Sequence, residues 1–202
     1  MEKALVDERF KDIEENYKHI KENIQKATLE SGRDEDSVRL MGVTKTVDSL
    51  YINHALSLGI DLIGENRVQE YLGKRDELHL DGVEKHLIGH LQTNKVRQVV
   101  GKVDLIQSVD SLRLLEAISK EAQRLGVLQD ILLEVNIGGE SAKTGFSPEE
   151  VLPLVDKIDS FSNVRVRGLM AIPPIARFPG DNLKFFQKII IFFSGNCSQK
   201  SV

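Results

Sequence analysis

The chain has 202 residues, 41% of them hydrophobic and 29% charged, which is typical of one globular domain with a sizeable core. Its net charge of −4 gives no general reason to expect nucleic acid or an anionic membrane as a partner. A single cysteine excludes an internal disulfide framework, and the charged N-terminus lacks the apolar core of a signal peptide. The longest apolar run, residues 189–193, is far shorter than the ~20 residues of a membrane span. We therefore expect a cytoplasmic protein.

Residues 2–30 are predicted to form one long amphipathic helix. Apolar side chains recur there at spacings of three and four, with glutamates and lysines between them: Ile13, Tyr17, Ile20, Ile24 and Ala27. Ser31 and Gly32 end the helical pattern.

From residue 38 onward, strand-like and helix-like segments alternate in units of about 25 residues. The strand-like segments are apolar nearly throughout, and they span residues 38–45, 60–65, 85–90, 104–109, 131–137 and 164–170. Helical segments between them span residues 48–58, 67–78, 94–100, 111–125 and 148–158. This alternation predicts an α/β fold with a parallel sheet, of the (β/α) TIM-barrel type. No G-x-G-x-x-G motif follows the first strand to indicate a dinucleotide-binding fold.

The C-terminal part is too short for a complete barrel. Only 38 residues follow Val164, whereas an eight-unit barrel would need two further βα units. We therefore expect a barrel that lacks its last two units, with residues 1–174 as the barrel domain and 175–202 as a divergent tail. The open sheet would expose its first and sixth strands as edges for association, and the isoleucine- and phenylalanine-rich segment 189–193 adds a risk of aggregation.

In parallel barrels, functional groups gather where the strands end. Each predicted strand end carries a polar or adaptable side chain: Lys45, Glu65 and Asn66, His90 and Gln92, Ser108 and Asp110, Asn136, and Met170. By position alone, Lys45 is either an ordinary solvated lysine or a reactive amine. A lysine amine is nucleophilic only when it is neutral, and an apolar strand end favours the neutral form.

Six motifs, taken in chain order, closely resemble those of the pyridoxal phosphate homeostasis protein family: VTKTV, IGENRVQE, HLIGHLQTNK, SVDS, EVNIGGESAKTGF and RGLMAIPP. This family is in turn similar to the N-terminal barrel of bacterial alanine racemases. The resemblance runs from the first helix to about Pro174. It implies a single-domain barrel that binds pyridoxal 5′-phosphate (PLP) and acts as a carrier or regulator of PLP supply, without an established catalysed reaction.

The resemblance implies that Lys45 forms a Schiff base with PLP. It also implies cofactor contacts from other strand ends: Asn66 to the phenolic oxygen, His90 beside the ring, Met170 on the pyridine face, and Asn136. Each of these four side chains has an ordinary structural alternative, because it could equally satisfy loop backbone or fill the core. With one cysteine and no ligand spacing among the histidines, we predict no metal site.

The sequence departs from the family where the phosphate of PLP would be held. Segments like SMGMSxD and RIGxxIFG, which belong to the seventh and eighth strands in the family, do not occur here. Charge-assisted hydrogen bonds contribute about 1.5–3 kcal/mol each, so their loss predicts a PLP affinity lower by several kcal/mol. We expect a truncated family member with weak or absent PLP binding.

Three functions are open at this point. The first is a PLP carrier for intracellular PLP homeostasis, monomeric as in the family, with PLP-dependent apoenzymes as acceptors. The second is a PLP-dependent racemase-type enzyme. Racemisation would need a second acid–base group, which in racemases is a tyrosine of a second domain, whereas Tyr17, Tyr51 and Tyr71 of this chain lie in predicted helices. The third is an inactive fragment of the family. No nucleic acid or membrane partner is expected.

Overall fold

The computed structural model of the chain describes residues 2–140, 144–178 and 180–197. The helices in this part are α1 (Glu2–Glu30), α2 (Ser49–Ser57), α3 (Val68–Lys74), α4 (Val96–Val99), α5 (Leu112–Leu125), α6 (Pro148–Lys157) and α7 (Leu183–Cys197). The strands are β1 (Gly42–Val43), β2 (Leu62–Glu65), β3 (Glu84–Leu87), β4 (Leu105–Val109), β5 (Gln129–Glu134) and β6 (Val164–Met170).

Hydrogen-bonded strands follow the order of the chain, β1-β2-β3-β4-β5-β6. The pairs β1–β2, β4–β5 and β5–β6 are parallel, with Gly42 opposite Ile63 and Gln129 opposite Val164. This confirms the predicted α/β fold with six parallel strands. Barrel closure and the lack of two further units stay predictions.

The first compact unit, Met1–His86, has a small apolar core. Ile52 of α2 and Ile63 of β2 are buried against Leu78 and Val83. Full burial of an aliphatic side chain stabilises a fold by about 1.5–3 kcal/mol, so these residues are enough to hold α2 on the strands.

The long helix predicted over residues 2–30 is confirmed by α1. The ring of Phe10 in α1 stacks on the imidazole of His54 in α2, with 4.0 Å between the ring centroids. Ile13, Tyr17 and Ile24 of the predicted apolar face are half-buried, whereas Ile20 and Ala27 of the same predicted face are exposed. This face therefore attaches α1 to the rest of the first unit.

The first strand is shorter than predicted. Residues 38–45 were expected to be extended, but β1 comprises only Gly42–Val43 and Lys45 lies in a turn. The N–H of Val47 donates to the carbonyl of Thr44 at 3.1 Å, which closes the turn. Strands β3 and β5 likewise end three residues before their predicted ends, at residues 87 and 134, so that His90 and Asn136 lie in loops.

The second compact unit, Leu87–Val202, contains β4, β5 and β6. Its core is made of side chains from β4, β5 and α5 that have no exposed surface: Ile106, Val109, Leu115, Ile118, Ile131 and Leu133. The cap Ser111 begins α5, and Gly126 ends it in a left-handed conformation. A capping box of Ser147 and Glu150 begins α6. These caps explain why the predicted bounds of both helices are nearly correct.

The last described element is α7, which contains the isoleucine-rich segment. Several apolar side chains before and on this helix are exposed: Ile175 (97%), Phe178 (70%), Phe186, Ile190 and Ile191 (71%). The division into a barrel domain, 1–174, and a tail, 175–202, stays a prediction, and residues 198–202 lie outside the described residues.

Gly145 is a position where a side chain would collide with the backbone of β5. Its φ is 113°, and an added Cβ would lie 2.8 Å from the backbone N of Asn136 and 3.0 Å from the carbonyl oxygen of Glu134. We predict that Gly145→Ala lowers the free energy of unfolding by about 3 kcal/mol, because backbone atoms cannot move aside.

Gly126→Ala is the matched control. Gly126 also has a positive φ, of 66°, but nothing lies within 4 Å of an added Cβ, so we expect a loss of only about 1 kcal/mol. Urea unfolding of both variants measures the difference. Equal losses would contradict the crowding at Gly145.

Candidate functional site

Lys45 follows β1 in a turn, and its side chain is exposed to solvent. Thr44 before it is buried, whereas Thr46 after it is exposed and has a φ of 59°. A left-handed conformation costs a β-branched residue about 1–3 kcal/mol, so neighbouring contacts must hold it. The apolar surroundings expected for Lys45 are not found, because the strand ends earlier and the turn is exposed.

A buried lysine of α3, Lys74, holds this turn in place. Its Nζ contacts Oε1 of Glu65 at the end of β2. It also donates to Oε1 of Glu70 at 3.1 Å and to the carbonyl of Thr44 at 2.7 Å. The Lys74 side chain is 11% exposed. An ammonium group has three N–H donors, so these three acceptors satisfy all of them and offset the cost of burying the charge.

Glu65 is the most buried charged group at this turn, with 2% of its surface exposed. Its Oε1 accepts a hydrogen bond from Oγ1 of Thr44 at 2.6 Å and contacts Lys74. Its Oε2 is buried and has no hydrogen-bond partner among the residues that the structure describes. A buried carboxylate is tolerated only beside a cation, so Glu65 depends on Lys74.

Glu70, one helical turn before Lys74, binds the backbone of the same turn. Its Oε1 accepts the N–H of Thr46. Burial acts to raise the pKa of Glu70, but the hydrogen bond from Thr46 and the charge of Lys74 outweigh it, so this pKa lies below its usual value. Glu70 is therefore a negatively charged acceptor at neutral pH.

Asn66 follows β2 directly and is half-buried. Because β1 and β2 are parallel neighbours, Asn66 and Lys45 follow the carboxyl ends of adjacent strands. Within the described part of the chain, the Asn66 amide makes no hydrogen bond. It is therefore an available donor and acceptor at this edge.

In the second unit, His90 and Asp110 form a hydrogen-bonded pair. Nδ1 of His90 lies 2.8 Å from Oδ2 of Asp110, whose side chain is 8% exposed, while the His90 side chain is 54% exposed. The hydroxyl of Ser111 donates to the other carboxylate oxygen at 3.0 Å. A carboxylate on Nδ1 fixes the orientation of an imidazole, which leaves Nε2 as the ring atom available to a ligand.

Glu134, the last residue of β5, is electrostatically coupled to this pair. Burial raises the pKa of the Glu134 carboxyl and Asp110 adds to the rise, while the hydrogen bond from Thr144 and the His90 ring oppose it. The pKa remains above its usual value. The second unit thus brings an imidazole and two carboxyl groups near one another, and burial raises the pKa of one of them, Glu134.

Asn136 and Met170 lie at the ends of the neighbouring strands β5 and β6. The N–H of Val135 donates to the carbonyl of Met170 at 2.8 Å. The Asn136 amide donates to the carbonyl of Glu140 at 2.8 Å and accepts from its N–H at 3.3 Å. Asn136 therefore organises the loop after β5, and Met170 is half-buried.

The predicted site residues are divided between the two units. Lys45 and Asn66 belong to the first, and His90, Asn136 and Met170 to the second. Each lies at or just after the end of a strand, as expected. Their contact with a cofactor stays a prediction.

The predicted site residues do not include Glu70 and Lys74, because both lie within the predicted helix 67–78 and not at a strand end. Their spacing of four residues, which places them on one helix face, was the available signal. A second signal was Glu65, since a carboxylate in an otherwise apolar strand requires a cation nearby.

Ser108 is fully buried and donates to the carbonyl of Gly89 at 2.6 Å, which gives it a structural role. Among the described residues, no cluster of His, Cys, Asp or Glu is arranged to hold a metal ion. In the same part of the chain, no helix combines the length and apolar character needed to cross a membrane.

Comparison with known proteins decides the family. The chain matches the model described as alanine racemase, N-terminal domain, over residues 16–193. It is 42% identical over 175 residues to the pyridoxal phosphate homeostasis protein of Aquifex aeolicus, which covers 87% of this chain and 77% of that protein. The protein of the same name from Pseudomonas aeruginosa is 35% identical over 161 residues, covering 80% and 70%. The chain belongs to the pyridoxal phosphate homeostasis protein family.

Solved structures show the fold of this family. PipY of Synechococcus elongatus, with PLP bound, has a TM-score of 0.74 and 31% identity, over 87% of this chain and 81% of that chain. A protein of Bifidobacterium adolescentis has a TM-score of 0.89 and 32% identity, over 96% and 83%. An alanine racemase of Clostridium difficile, at 14% identity and a TM-score of 0.68 over 90% and 47%, shows the fold alone. The predicted family and fold class are confirmed.

The contributions of Glu134 and Glu70 to the free energy of unfolding should change with pH in opposite directions. The folded chain holds the proton of Glu134 more tightly than the unfolded chain does, because folding raises its pKa. The stability that this proton contributes is present at acidic pH and lost as the pH rises through the folded pKa. We predict that Glu134→Gln gains unfolding free energy relative to the wild type as the pH rises from about 4 to about 8.

Glu70→Gln is the matched variant of opposite sign. Because folding lowers the pKa of Glu70, its contribution is present above the unfolded pKa and lost as the pH falls through the folded pKa. This variant should be less stable than the wild type at neutral pH and approach it at acidic pH. Urea unfolding across the pH series measures both. Parallel responses of the two variants would contradict the assigned shifts.

Proposed function

We propose that this chain binds PLP covalently through Lys45 and acts as a carrier in PLP homeostasis. The observation that carries the proposal is the exposed primary amine of Lys45, which lies on a turn whose backbone is bound by Lys74 and Glu70. The names of the A. aeolicus and P. aeruginosa relatives, and the PLP bound to PipY, support the choice of ligand.

The residues at the turn suit an aldehyde ligand. PLP supplies an aldehyde that condenses with a primary amine. The exposed side chain of Lys45 allows such a ligand to approach. Lys74, the other lysine here, is buried and uses its N–H groups on three acceptors, so it does not compete.

Four other side chains are proposed as cofactor contacts. Asn66 offers an amide without a hydrogen bond in the described chain, and His90 offers Nε2 of an oriented ring. Met170 offers a polarisable thioether that suits the face of an aromatic ring. Asn136 would have to share its amide with the backbone of Glu140.

A carrier is favoured over a racemase-type enzyme by the positions of the tyrosines. Tyr17, Tyr51 and Tyr71 lie in α1, α2 and α3, as predicted, and Tyr71 is only 5% exposed. Racemisation needs an acid–base group on each face of the cofactor, and Tyr71, buried in α3, is poorly placed for it, while Tyr17 and Tyr51 are half-buried on α1 and α2. We propose PLP-dependent apoenzymes as acceptors, a monomeric chain, and a cytoplasmic location.

The proposed attachment site can be mapped directly. We predict that PLP added in excess to the purified chain and fixed by borohydride modifies Lys45 ahead of the other lysines, although binding is expected to be weak without the family's phosphate-holding segments. Peptide mass spectrometry identifies the modified lysine. Lys45→Arg, which keeps the charge but cannot form the bond, should lose this modification.

Lys26→Arg is the matched control, because Lys26 is an exposed lysine of α1, 75% accessible, outside the turn. In this variant, Lys45 should be modified to the same extent as in the wild type. Labelling scattered over surface lysines, with Lys45 no stronger than Lys26, would contradict the proposal.

A further inference from the structure

We propose that Glu70 and Lys74 are positioning residues that hold the two peptide groups flanking Lys45 and so aim its amine; this rests on the proposed function of Lys45. The carbonyl of Thr44 belongs to the peptide before Lys45, and it accepts from Nζ of Lys74 at 2.7 Å. The N–H of Thr46 belongs to the peptide after Lys45, and it donates to Oε1 of Glu70.

The two positioning residues form a single unit. They lie four residues apart on α3, and Nζ of Lys74 is 3.1 Å from Oε1 of Glu70. The same carboxylate oxygen of Glu70, Oε1, therefore binds both the ammonium group of Lys74 and the backbone N–H of Thr46. A movement of either side chain would be passed to the peptide groups on both sides of Lys45.

This unit is anchored in the interior rather than at the surface. Lys74 also contacts Glu65, which is 2% exposed and which accepts from the hydroxyl of Thr44 at 2.6 Å. Buried ion pairs with satisfied donors hold one geometry, whereas exposed pairs move freely. The exposed Lys45 side chain thus begins from a fixed backbone.

The backbone conformation of Thr46 indicates that Glu70 holds the peptide after Lys45 in a conformation it would otherwise leave. Its φ of 59° is one that β-branched residues avoid, and the bond from its N–H to Glu70 opposes relaxation to an ordinary conformation. If this bond were lost, the peptide after Lys45 would be expected to rotate. The direction in which Lys45 leaves the turn would then change.

The test compares the labelling of two lysines in the same molecule. The wild type and Glu70→Ala are treated with PLP and borohydride, and the initial labelling rate of Lys45 is divided by that of Lys26. Glu70→Ala should lower this ratio about tenfold, since small misplacements of a reacting group are costly. Glu70→Gln, which keeps an acceptor oxygen for the Thr46 N–H, should lower it less.

Two further variants separate positioning from general stability. Glu30→Ala breaks the matched i,i+4 pair of Lys26 and Glu30 on α1. Because this changes the reference lysine, the labelling rate of Lys45 itself is compared with that of the wild type, and it should be unchanged. Thr46→Gly, added to Glu70→Ala, should restore much of the lost rate, because glycine adopts a positive φ without strain. Urea unfolding confirms that each variant is folded, and hydrogen exchange of the Thr46 amide should be faster in Glu70→Ala.

The outcomes are distinguishable. A folded Glu70→Ala that labels Lys45 at the wild-type ratio would overturn the positioning role while leaving the proposed function intact. A loss that Thr46→Gly does not restore would also overturn it, since the effect would not pass through this backbone. A wild type that labels Lys45 no faster than Lys26 would overturn the proposed function itself, whatever the exchange rate of the Thr46 amide.

Discussion

The turn that carries Lys45 depends on one buried ammonium group. Lys74 binds carboxylates from the end of β2 and from α3 together with a carbonyl that follows β1, so one cation joins the three elements around the turn. Removing a partner from such a buried pair usually costs about 3–5 kcal/mol, because the remaining charge has no compensation. Glu65, with one oxygen already lacking a hydrogen-bond partner among the described residues, would be left in that state. The lysine proposed to react with PLP is therefore the exposed one, and the buried lysine holds the turn that carries it.

In the second unit, the two ends of the strands differ in chemistry. At the start of β5 and β6, Arg165 binds Asp130 through two hydrogen bonds of 2.7 and 2.8 Å between paired positions. This exposed ion pair stabilises strand register. At the carboxyl ends, His90 pairs with Asp110, and burial beside this pair raises the pKa of Glu134. The contrast agrees with the general rule that one end of a parallel barrel serves stability and the other carries function.

Much of this arrangement could be predicted from the sequence. Apolar runs and helix caps located six strands and the main helices, and the strand ends indicated Lys45, Asn66 and His90. The turn that follows β1 could not be predicted, because one of its residues, Thr46, has a positive φ and donates its N–H to Glu70 of a later helix. Lys74 was missed for the same reason, since its role comes from contacts with Thr44, which follows β1, and with Glu65 of β2. The family match reaches residue 193, within α7, whereas the recognisable motifs end at Pro174.

A crystal structure of the chain after incubation with PLP tests the central claim most directly. We predict continuous electron density from Nζ of Lys45 to the cofactor, with Lys74 still between Glu65 and Glu70. Density joined to Lys74 or to a surface lysine such as Lys26, with Lys45 unmodified, would contradict both the attachment site and the role given to the buried charges.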